Sequence, residues 1–437
     1  MIVLVDLLGL TIILPLLPLY AVSFGASPLT IGLIAAVYPT MQLIAGPYLG
    51  ALSDRFGRKP VLLFSQLGTL SGFILLGFAN ALPLLLLSRM IDGLSGANIS
   101  VAQAAITDMT TAKTRTQGLG LIGAAFGLGF TLGPAIGGIA LTVSNNNYQV
   151  PAFLAAGFSL VAILLTAFLF KETHTESSRT EVAAAQASAP ESRLAKLTRA
   201  FRSPLIGMLL ILMFVQHLVF GGIENLIALF NLTRLGMNAA SNTVLFIYVG
   251  VILVVVQGYA IGKWSRRFGE RKLIFAGLAL LSVGVIATAL TPQIPVPWYS
   301  QATMIAELNT GATPLSVTLP DDANKGVLGL VWLLVAMFPT GVGSSILSPS
   351  INSLLTKHSN PLEIGTILGV SASMLSLANI ITPVLSGAMF QFLGSSAPFL
   401  IGGVILAALL GVALRVIKET PVPDAAADHI QIGASVI

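Results

Sequence analysis

The sequence predicts an all-α membrane protein in which twelve transmembrane helices form two similar six-helix halves. Three observations lead to this fold class. Apolar residues make up 55% of the 437 residues, charged residues only 9%, and the mean hydropathy is +0.90. Soluble globular proteins carry roughly 25% charged residues, so this composition excludes a soluble enzyme. Twelve apolar stretches have about the 20 residues that cross a bilayer, and a loop motif returns after six of them.

The apolar stretches define the predicted domains. They lie near residues 2–23, 30–52, 60–80, 83–107, 116–141, 149–170, 204–231, 241–263, 272–291, 326–354, 362–390 and 397–417. Residues 171–203 are basic and rich in Ala and Ser, which predicts a linker between the halves 1–170 and 204–418. Residues 292–325 predict an inserted loop, either an ordered lid or a disordered connection, and residues 419–437 predict a tail.

Basic residues indicate the orientation. With both termini in the cytoplasm, all 22 lysines and arginines except Arg89, Arg234 and Lys325 fall on cytoplasmic segments, where Lys and Arg are enriched in membrane proteins. Residues 1–22 lack the basic start and the cleavage site of a signal peptide, so they predict the first membrane helix. A start further upstream would place Asp6 deeper in that helix. We expect a multi-pass protein of the cell membrane, in particular a bacterial inner membrane.

The loop motif relates the two halves. The sequence GALSDRFGRKP occupies residues 50–60 after the second stretch, and GKWSRRFGERK occupies residues 262–272 after the eighth. The same loop returns on the same side, so the repeat is parallel. Transporters built from such repeats bind their substrate between the halves near the midplane. The second copy has Arg266 where the first has Asp54, so the charge pattern is not symmetric.

Four motifs carry a resemblance to a known family. The loop motif comprises Gly50, Asp54, Arg55, Gly57 and Arg58, and the fifth stretch spaces Gly120, Gly129, Gly133, Pro134, Gly137 and Gly138. The first stretch contains Gly9-x5-Pro15-x2-Pro18, and the fourth contains Arg89-x2-Asp92-Gly93, with Asp92 where the family carries Gln. The chain thereby resembles the drug:proton antiporters of the major facilitator superfamily, among them tetracycline pumps, multidrug pumps and vesicular amine transporters. The alternatives are ordinary small-residue packing and a plain basic loop.

The resemblance implies a conformational latch. Asp54 would face the eleventh helix, where a helix dipole stabilises a carboxylate. Arg58 would pair with Asp108 at the end of the fourth helix. Together these contacts would hold the cytoplasmic side closed in the outward-facing state.

Few ionisable residues lie inside the apolar stretches. They are Asp6, Arg89, Asp92, His217 and Glu224. A charge at the bilayer centre costs at least ~2.5–3.5 kcal/mol, so such residues usually face a cavity and have a function. The alternatives are that Arg89 and Asp92 neutralise each other at i and i+3, that Asp6 is interfacial, and that His217 is a hydrogen-bonded core residue. Glu224 and Asp6 stand where the vesicular monoamine transporters carry acids, so we expect them to face each other across a cavity.

These residues predict a proton-coupled antiporter that exports small lipophilic, cationic or basic compounds. A cationic substrate and a proton would compete for one carboxylate. Gly72 stands where tetracycline pumps carry an Asp, which favours a broader substrate range. The alternatives are a proton-coupled importer of a nutrient or metabolite, and a membrane sensor. The sequence has no Cys, no Walker loop and no paired metal-binding histidines, so we expect no metal, no cofactor and no ATP hydrolysis. We also expect no nucleic acid. The expected partners of the monomeric protein are its substrate, protons and the lipid bilayer.

Overall fold

A computed structural model describes residues 1–96, 98–110, 115–173, 203–308, 315–358 and 364–417. Within these ranges every regular element is a helix. In the first half the helices are α1 (Ile2–Ile13), α2 (Leu17–Val22), α3 (Pro28–Phe56), α4 (Arg58–Gly77), α5 (Leu82–Ser95), α6 (Asn98–Met109), α7 (Arg115–Val143) and α8 (Gln149–Leu169). Most of the predicted linker 171–203 and all of the predicted tail 419–437 lie outside the described residues.

The second half repeats this arrangement with one interruption and one addition. Its helices are α9 (Pro204–Leu235), α10 (Ala239–Val255), a π-helical turn (Val256–Ala260), α11 (Ile261–Phe268), α12 (Glu270–Ala289), α13 (Gln301–Leu308), α14 (Leu328–Lys357), α15 (Ile364–Leu393) and α16 (Ala397–Val416). The addition is α13, which lies in the predicted insertion 292–325.

Nine helical segments in the described part of the chain are long and apolar enough to cross a membrane. The three other predicted spans are made of shorter helices or of a helix with a short apolar part. The first corresponds to α1 together with α2, and the fourth to α5 together with α6. The fifth corresponds to α7, whose apolar part runs from Gly127 to Val143. Pro15 lacks an amide hydrogen and separates α1 from α2. The count of twelve spans therefore remains a prediction.

The repeated loop has the same backbone conformation in both halves. A single glycine separates α3 from α4 and α11 from α12, and both glycines have positive φ (Gly57 105°, Gly269 76°). Only glycine adopts these angles without strain, which explains why each copy of the motif carries Gly at this position. We call the end of the bundle that holds Gly57 and Gly269 the Gly57 end, and the opposite end the Pro28 end.

The two halves touch at the Pro28 end and separate towards the Gly57 end. A Cβ at Gly32 would collide with the backbone of Pro383, and one at Gly387 would lie 2.5 Å from the carbonyl oxygen of Pro28. The amide of Leu29 also donates to Oε1 of Gln391 across this contact (3.1 Å). Near the Gly57 end, by contrast, no described atom outside their own helix backbone lies within 4 Å of a Cβ built at Gly46, Gly50, Gly258 or Gly262. Among the described residues, the two halves are therefore in backbone contact at the Pro28 end, whereas these four glycines of the Gly57 end have no such contact.

Candidate functional site

A cavity of about 260 Å³ lies where the two halves meet. Helices α1, α2, α3, α5, α6 and α7 line it from the first half, and α9 and α15 line it from the second. Its wall is mostly apolar. The polar side chains on it are Tyr38, Gln42, Arg89, Glu224, Asn225 and Asn379. A concave apolar site with a few convergent polar groups is the usual form of a small-molecule site.

Glu224 is the acidic residue on this wall among the described residues, and it comes from the second half. It lies within the unbroken helix α9, next to Asn225, whose Nδ2 donates to the carbonyl of Gly221 (2.7 Å). Gly221 and Gly222 of α9 face Thr382 and Ser386 of α15, and a Cβ at either glycine would lie about 3.5 Å from the facing side chain, an ordinary van der Waals distance. Packing of α9 against α15 thus positions Glu224 at the cavity.

Arg89 reaches the same cavity from the first half. Its side chain is 3% exposed, its Nη1 lies 3.2 Å from Oδ2 of Asp92, and its guanidinium stacks 5.4 Å from the ring centre of Phe73. Nε and Nη2 of Arg89 have no hydrogen-bond partner among the described residues. The predicted neutralisation of Arg89 by Asp92 is therefore present as an ion pair, and the guanidinium keeps unused donors beside the cavity.

Asp6 lies in a second, smaller cavity of about 20 Å³, which Asp92, Tyr38 and Asn98 also line. Nδ2 of Asn98 donates to Oδ2 of Asp6 (2.8 Å). The structure thus groups Asp6 with Asp92, whereas Glu224 lines the larger cavity. Tyr38 lines both cavities, so it lies between the two sets of acids.

Two site features were not predicted from the sequence. One is the polar contribution of α3, where Tyr38 and Gln42 stand one turn apart and line the cavity. The other is the break between α5 and α6: Gln42 donates to the carbonyl of Gly96 (2.5 Å), and Ser65 donates to that of Ser95. These bonds replace the helical bonds that the interruption removes, as a membrane interior requires. Gly93 and Gly96 could have signalled the break.

His217 lies outside both cavities. It is partly buried on α9, two turns before Glu224, and its Nδ1 has no hydrogen-bond partner among the described residues. Across the described ranges, no group of three or more Asp, Glu, His or Cys residues is placed to hold a metal ion.

The loop motif forms an ion cluster at the Gly57 end. Arg58 contacts Asp54 through Nη1 (2.6 Å) and Asp108 through Nε (3.0 Å), the second of which is the pairing that the resemblance implied. Glu172 accepts the backbone amides of Arg58 and Lys59 at the start of α4 (2.8 and 3.0 Å). The resemblance implied that Asp54 faces the eleventh predicted span, 362–390; its first residues, 362 and 363, lie outside the described residues, so this contact stays a prediction. Arg55 lies at the end of α3, with its guanidinium 5.3 Å from the ring centre of Phe56.

The glycines of the fifth stretch form the contact surface of α7. Gly133 and Gly137 face the backbone of α1 near Thr11 and Ile12, and Gly129 faces Leu7 and Thr11. Gly138 faces Thr243 of α10, in the other half. Helix α7 continues through Pro134. The surroundings of Gly120 lie outside the described residues.

The comparisons with known proteins agree with this architecture. A family profile described as "Major Facilitator Superfamily" matches residues 1–331 and 323–431. The tetracycline resistance protein of class E from Escherichia coli is 33% identical over 68% of this chain and 72% of its own length. Multidrug resistance protein 2 of Bacillus subtilis is 24% identical over 97% of this chain and 94% of its own.

Solved structures of transporters share the fold. The nucleoside transporter NupG (D323A mutant) superposes with a TM-score of 0.71 at 12% identity, covering 95% of this chain and 99% of its own. The human organic anion transporter MFSD10 gives a TM-score of 0.60 at 24% identity, covering 94% and 97%. The profile match, the two-half architecture and the cavity between the halves lead to one conclusion: the chain belongs to the major facilitator superfamily, a family of membrane transporters.

Proposed function

We propose that this protein is a proton-coupled antiporter that exports small lipophilic, cationic or basic organic compounds by alternating access. The observation that carries the proposal is a carboxylate, Glu224, in the mostly apolar wall of the cavity between the halves. An apolar wall suits a lipophilic body, and a carboxylate suits a basic centre. The names of the similar proteins, tetracycline and multidrug resistance proteins, support export of such compounds.

The coupling rests on competition for one site. A protonated Glu224 is neutral and has no attraction for a cation, whereas the ionised form binds one. If the cavity faces the cytoplasm, where protons are scarcer, the substrate replaces the proton. If it faces the outside, a proton displaces the substrate. Each cycle thus moves substrate out and a proton in.

The acids of the smaller cavity, Asp6 and Asp92, provide a second proton acceptor. Asp6, Asp92 and Arg89 together carry one net negative charge when all are ionised, and the Arg89–Asp92 pair cancels internally. This leaves Asp6, bonded to Asn98, as the first-half group that can take up a proton. His217, outside the cavities, has no part in this scheme.

The ion cluster of the loop motif serves as the conformational latch in this proposal. Gly50, Asp54, Arg55, Gly57, Arg58 and Asp108 would stabilise the state in which the Gly57 end closes. The basic loops favour a cytoplasmic position for that end, and in this proposal the structure corresponds to a cytoplasm-facing state. The proposal puts both termini in the cytoplasm of a bacterial cell and has the protein act as a monomer.

Transport in proteoliposomes tests the proposal. A panel of lipophilic amines is offered to vesicles that contain the purified protein, and substrate and proton fluxes are recorded together. Antiport predicts opposite directions, with accumulation that collapses when a protonophore is added and that Glu224→Gln abolishes. Fluxes in the same direction would indicate a symporter, and binding without flux would indicate a sensor. Either result would overturn the proposal.

A further inference from the structure

The insertion between α12 and α14 is anchored in the second half. We define the strap as its described parts, residues 292–308 and 315–325. The amide of Val296 donates to the carbonyl of Leu235 at the end of α9 (2.9 Å), and the ring of Tyr299 packs over Gly236, whose positive φ of 62° ends that helix. Nε1 of Trp298 donates to Oγ of Ser241 on α10 (3.4 Å).

The two arms of the strap are also fastened to each other. The hydroxyl of Tyr299 donates to the carbonyl of Pro320 (2.9 Å), and Asp322 accepts the amide of Gln301 at the start of α13 (3.2 Å). The strap is therefore an ordered element in its described parts, which favours the predicted lid over the predicted disordered connection.

The strap then crosses to the first half. Oγ of Ser316 donates to the carbonyl of Ala26, in the turn between α2 and α3 (2.5 Å). On either side of Ser316, the partly buried Leu315, Val317 and Leu319 pack against the large core cluster, which contains residues of both halves, while Thr318 is exposed. One face of this extended arm is thus docked.

Glu307 of α13 is bonded within the second half and lies near a side chain of the first half. Its Oε2 accepts from Nδ2 of Asn238 (3.3 Å), and its Oε1 is buried without a partner among the described residues. The hydroxyl of Tyr148, in the loop before α8, is likewise buried without a described partner. Burial first, and then the charge of Glu307, raise the pKa of Tyr148. The second-half acid thus lies within electrostatic reach of a first-half hydroxyl.

We propose that the strap holds the two halves together at the Pro28 end and must detach from the first half each time that end opens. The strap is rooted in one half and docked on the other at the end where the halves already touch. Opening that end separates Ala26 from Ser316. The strap is thus a conformational device in addition to the contacts of α3 with α15, and the inference does not depend on which compound is carried.

A reversible cross-link tests the proposal, and the chain has no native Cys to interfere. In Ala26→Cys/Ser316→Cys, an oxidant should form a disulfide that locks the strap onto the first half. Transport should fall to background and return on reduction. The matched control, Gln301→Cys/Asp322→Cys, joins the strap to itself, so its transport should be the same before and after oxidation. Unchanged transport in the oxidised first pair, or failure of that pair to form a disulfide, would overturn the proposal.

Labelling provides a readout that needs no substrate. Ala35 lines the cavity, so Ala35→Cys should react with an impermeant maleimide added from the Pro28 side only when that end opens. When Ser316→Ala is added to the Ala35→Cys variant, the labelling rate should rise about twofold or more, because one hydrogen bond between the halves is lost. Thr318→Ala, which removes the hydroxyl of an exposed neighbouring residue, should leave the rate unchanged. Equal rates for Ser316→Ala and Thr318→Ala would contradict the strap.

Discussion

Glu224 illustrates how one side chain can set the pH dependence of a transporter. It lies on an apolar wall, and Arg89 and Asp92 neutralise each other on the opposite half. Binding of a lipophilic amine to the detergent-solubilised wild type should weaken as the pH falls, because a proton then occupies the carboxylate. Glu224→Gln should give a flatter profile, since that site no longer titrates. The measurement is the dissociation constant against pH.

The control for that titration is a carboxylate outside the cavity. Glu270→Gln removes an acid bonded to Lys357 and Ser353 at the Gly57 end, and it should keep the wild-type profile. An unchanged profile in Glu224→Gln would remove Glu224 from the mechanism and leave the acids of the first half, Asp6 and Asp92, as the candidates for its role.

Gly72 shows why an acidic residue does not fit at this point of the third predicted span. A Cβ at Gly72 would lie 2.9 Å from Cβ of Asp92 and 3.0 Å from the carbonyl oxygen of Ser88. Gly72→Ala should therefore force α4 and α5 apart and destabilise the protein by about 1–3 kcal/mol. Gly157→Ala on α8, where nothing lies within 4 Å, is the matched control and should be neutral or stabilising. Thermal unfolding in detergent measures both, and equal melting temperatures would contradict this account.

At the scale of elements, the end of α3 and the start of α4 form one electrostatic unit. Arg58 joins Asp54 to Asp108, and the carboxylate of Glu172 caps α4. Asp54→Asn should leave expression intact and strongly reduce transport, because the latched state loses a charge at a helix end worth up to ~1–2 kcal/mol. Transport rate per folded protein is the measurement. The control is Asp321→Asn, which changes an exposed acid of the strap and should leave transport unchanged. Full activity of Asp54→Asn would exclude the latch role.

Helix α13 should give the strap its own pH dependence. Burial raises the pKa of Glu307 above its ordinary value of 4.5, with the hydrogen bond from Asn238 opposing the shift. An acid whose pKa is raised by folding contributes stability that is present below its unfolded pKa and is lost as the pH rises through its folded pKa. The melting temperature should therefore decline from about pH 4.5 upward as Glu307 ionises. Glu307→Gln should remove this decline, and an identical pH profile in that variant would refute it.

For the whole molecule, the sequence was sufficient for the features that depend on local pattern. Apolar length and the repeated Gly57 and Gly269 loops predicted the helices and the two halves, because bilayer thickness and glycine's positive φ act locally. The pairing of Arg58 with Asp108 came from family resemblance. The break at Pro15 follows from proline chemistry that the hydropathy pattern does not record. The break at Gly96 and the ordered strap depend on bonds between distant residues, such as Gln42 with Gly96 and Ser316 with Ala26.

The grouping of the acids could not be predicted from the sequence. Asp6 and Glu224 were expected to face each other, but Asp6 lies with Asp92 behind Tyr38, and Glu224 lies on the larger cavity. Which acids share a cavity depends on how helices rotate against one another, and that is set by contacts such as the close approach of Gly133, on α7, to Thr11 of α1. A sequence gives the residues of each helix, while the facing surfaces arise from packing.

The closed Pro28 end has a consequence for controlling the conformational equilibrium. Gly32 and Gly387 each meet the backbone of the other half, so a methyl group there would penalise the closed arrangement, and separation of the halves at this end would relieve the penalty. Each 1.4 kcal/mol of such a one-sided penalty shifts the ratio of the two populations about tenfold. Gly387→Ala should therefore increase Ala35→Cys labelling from the Pro28 side. Side chains of increasing size at Gly387, which does not line the cavity, would therefore set the fraction of molecules in each state.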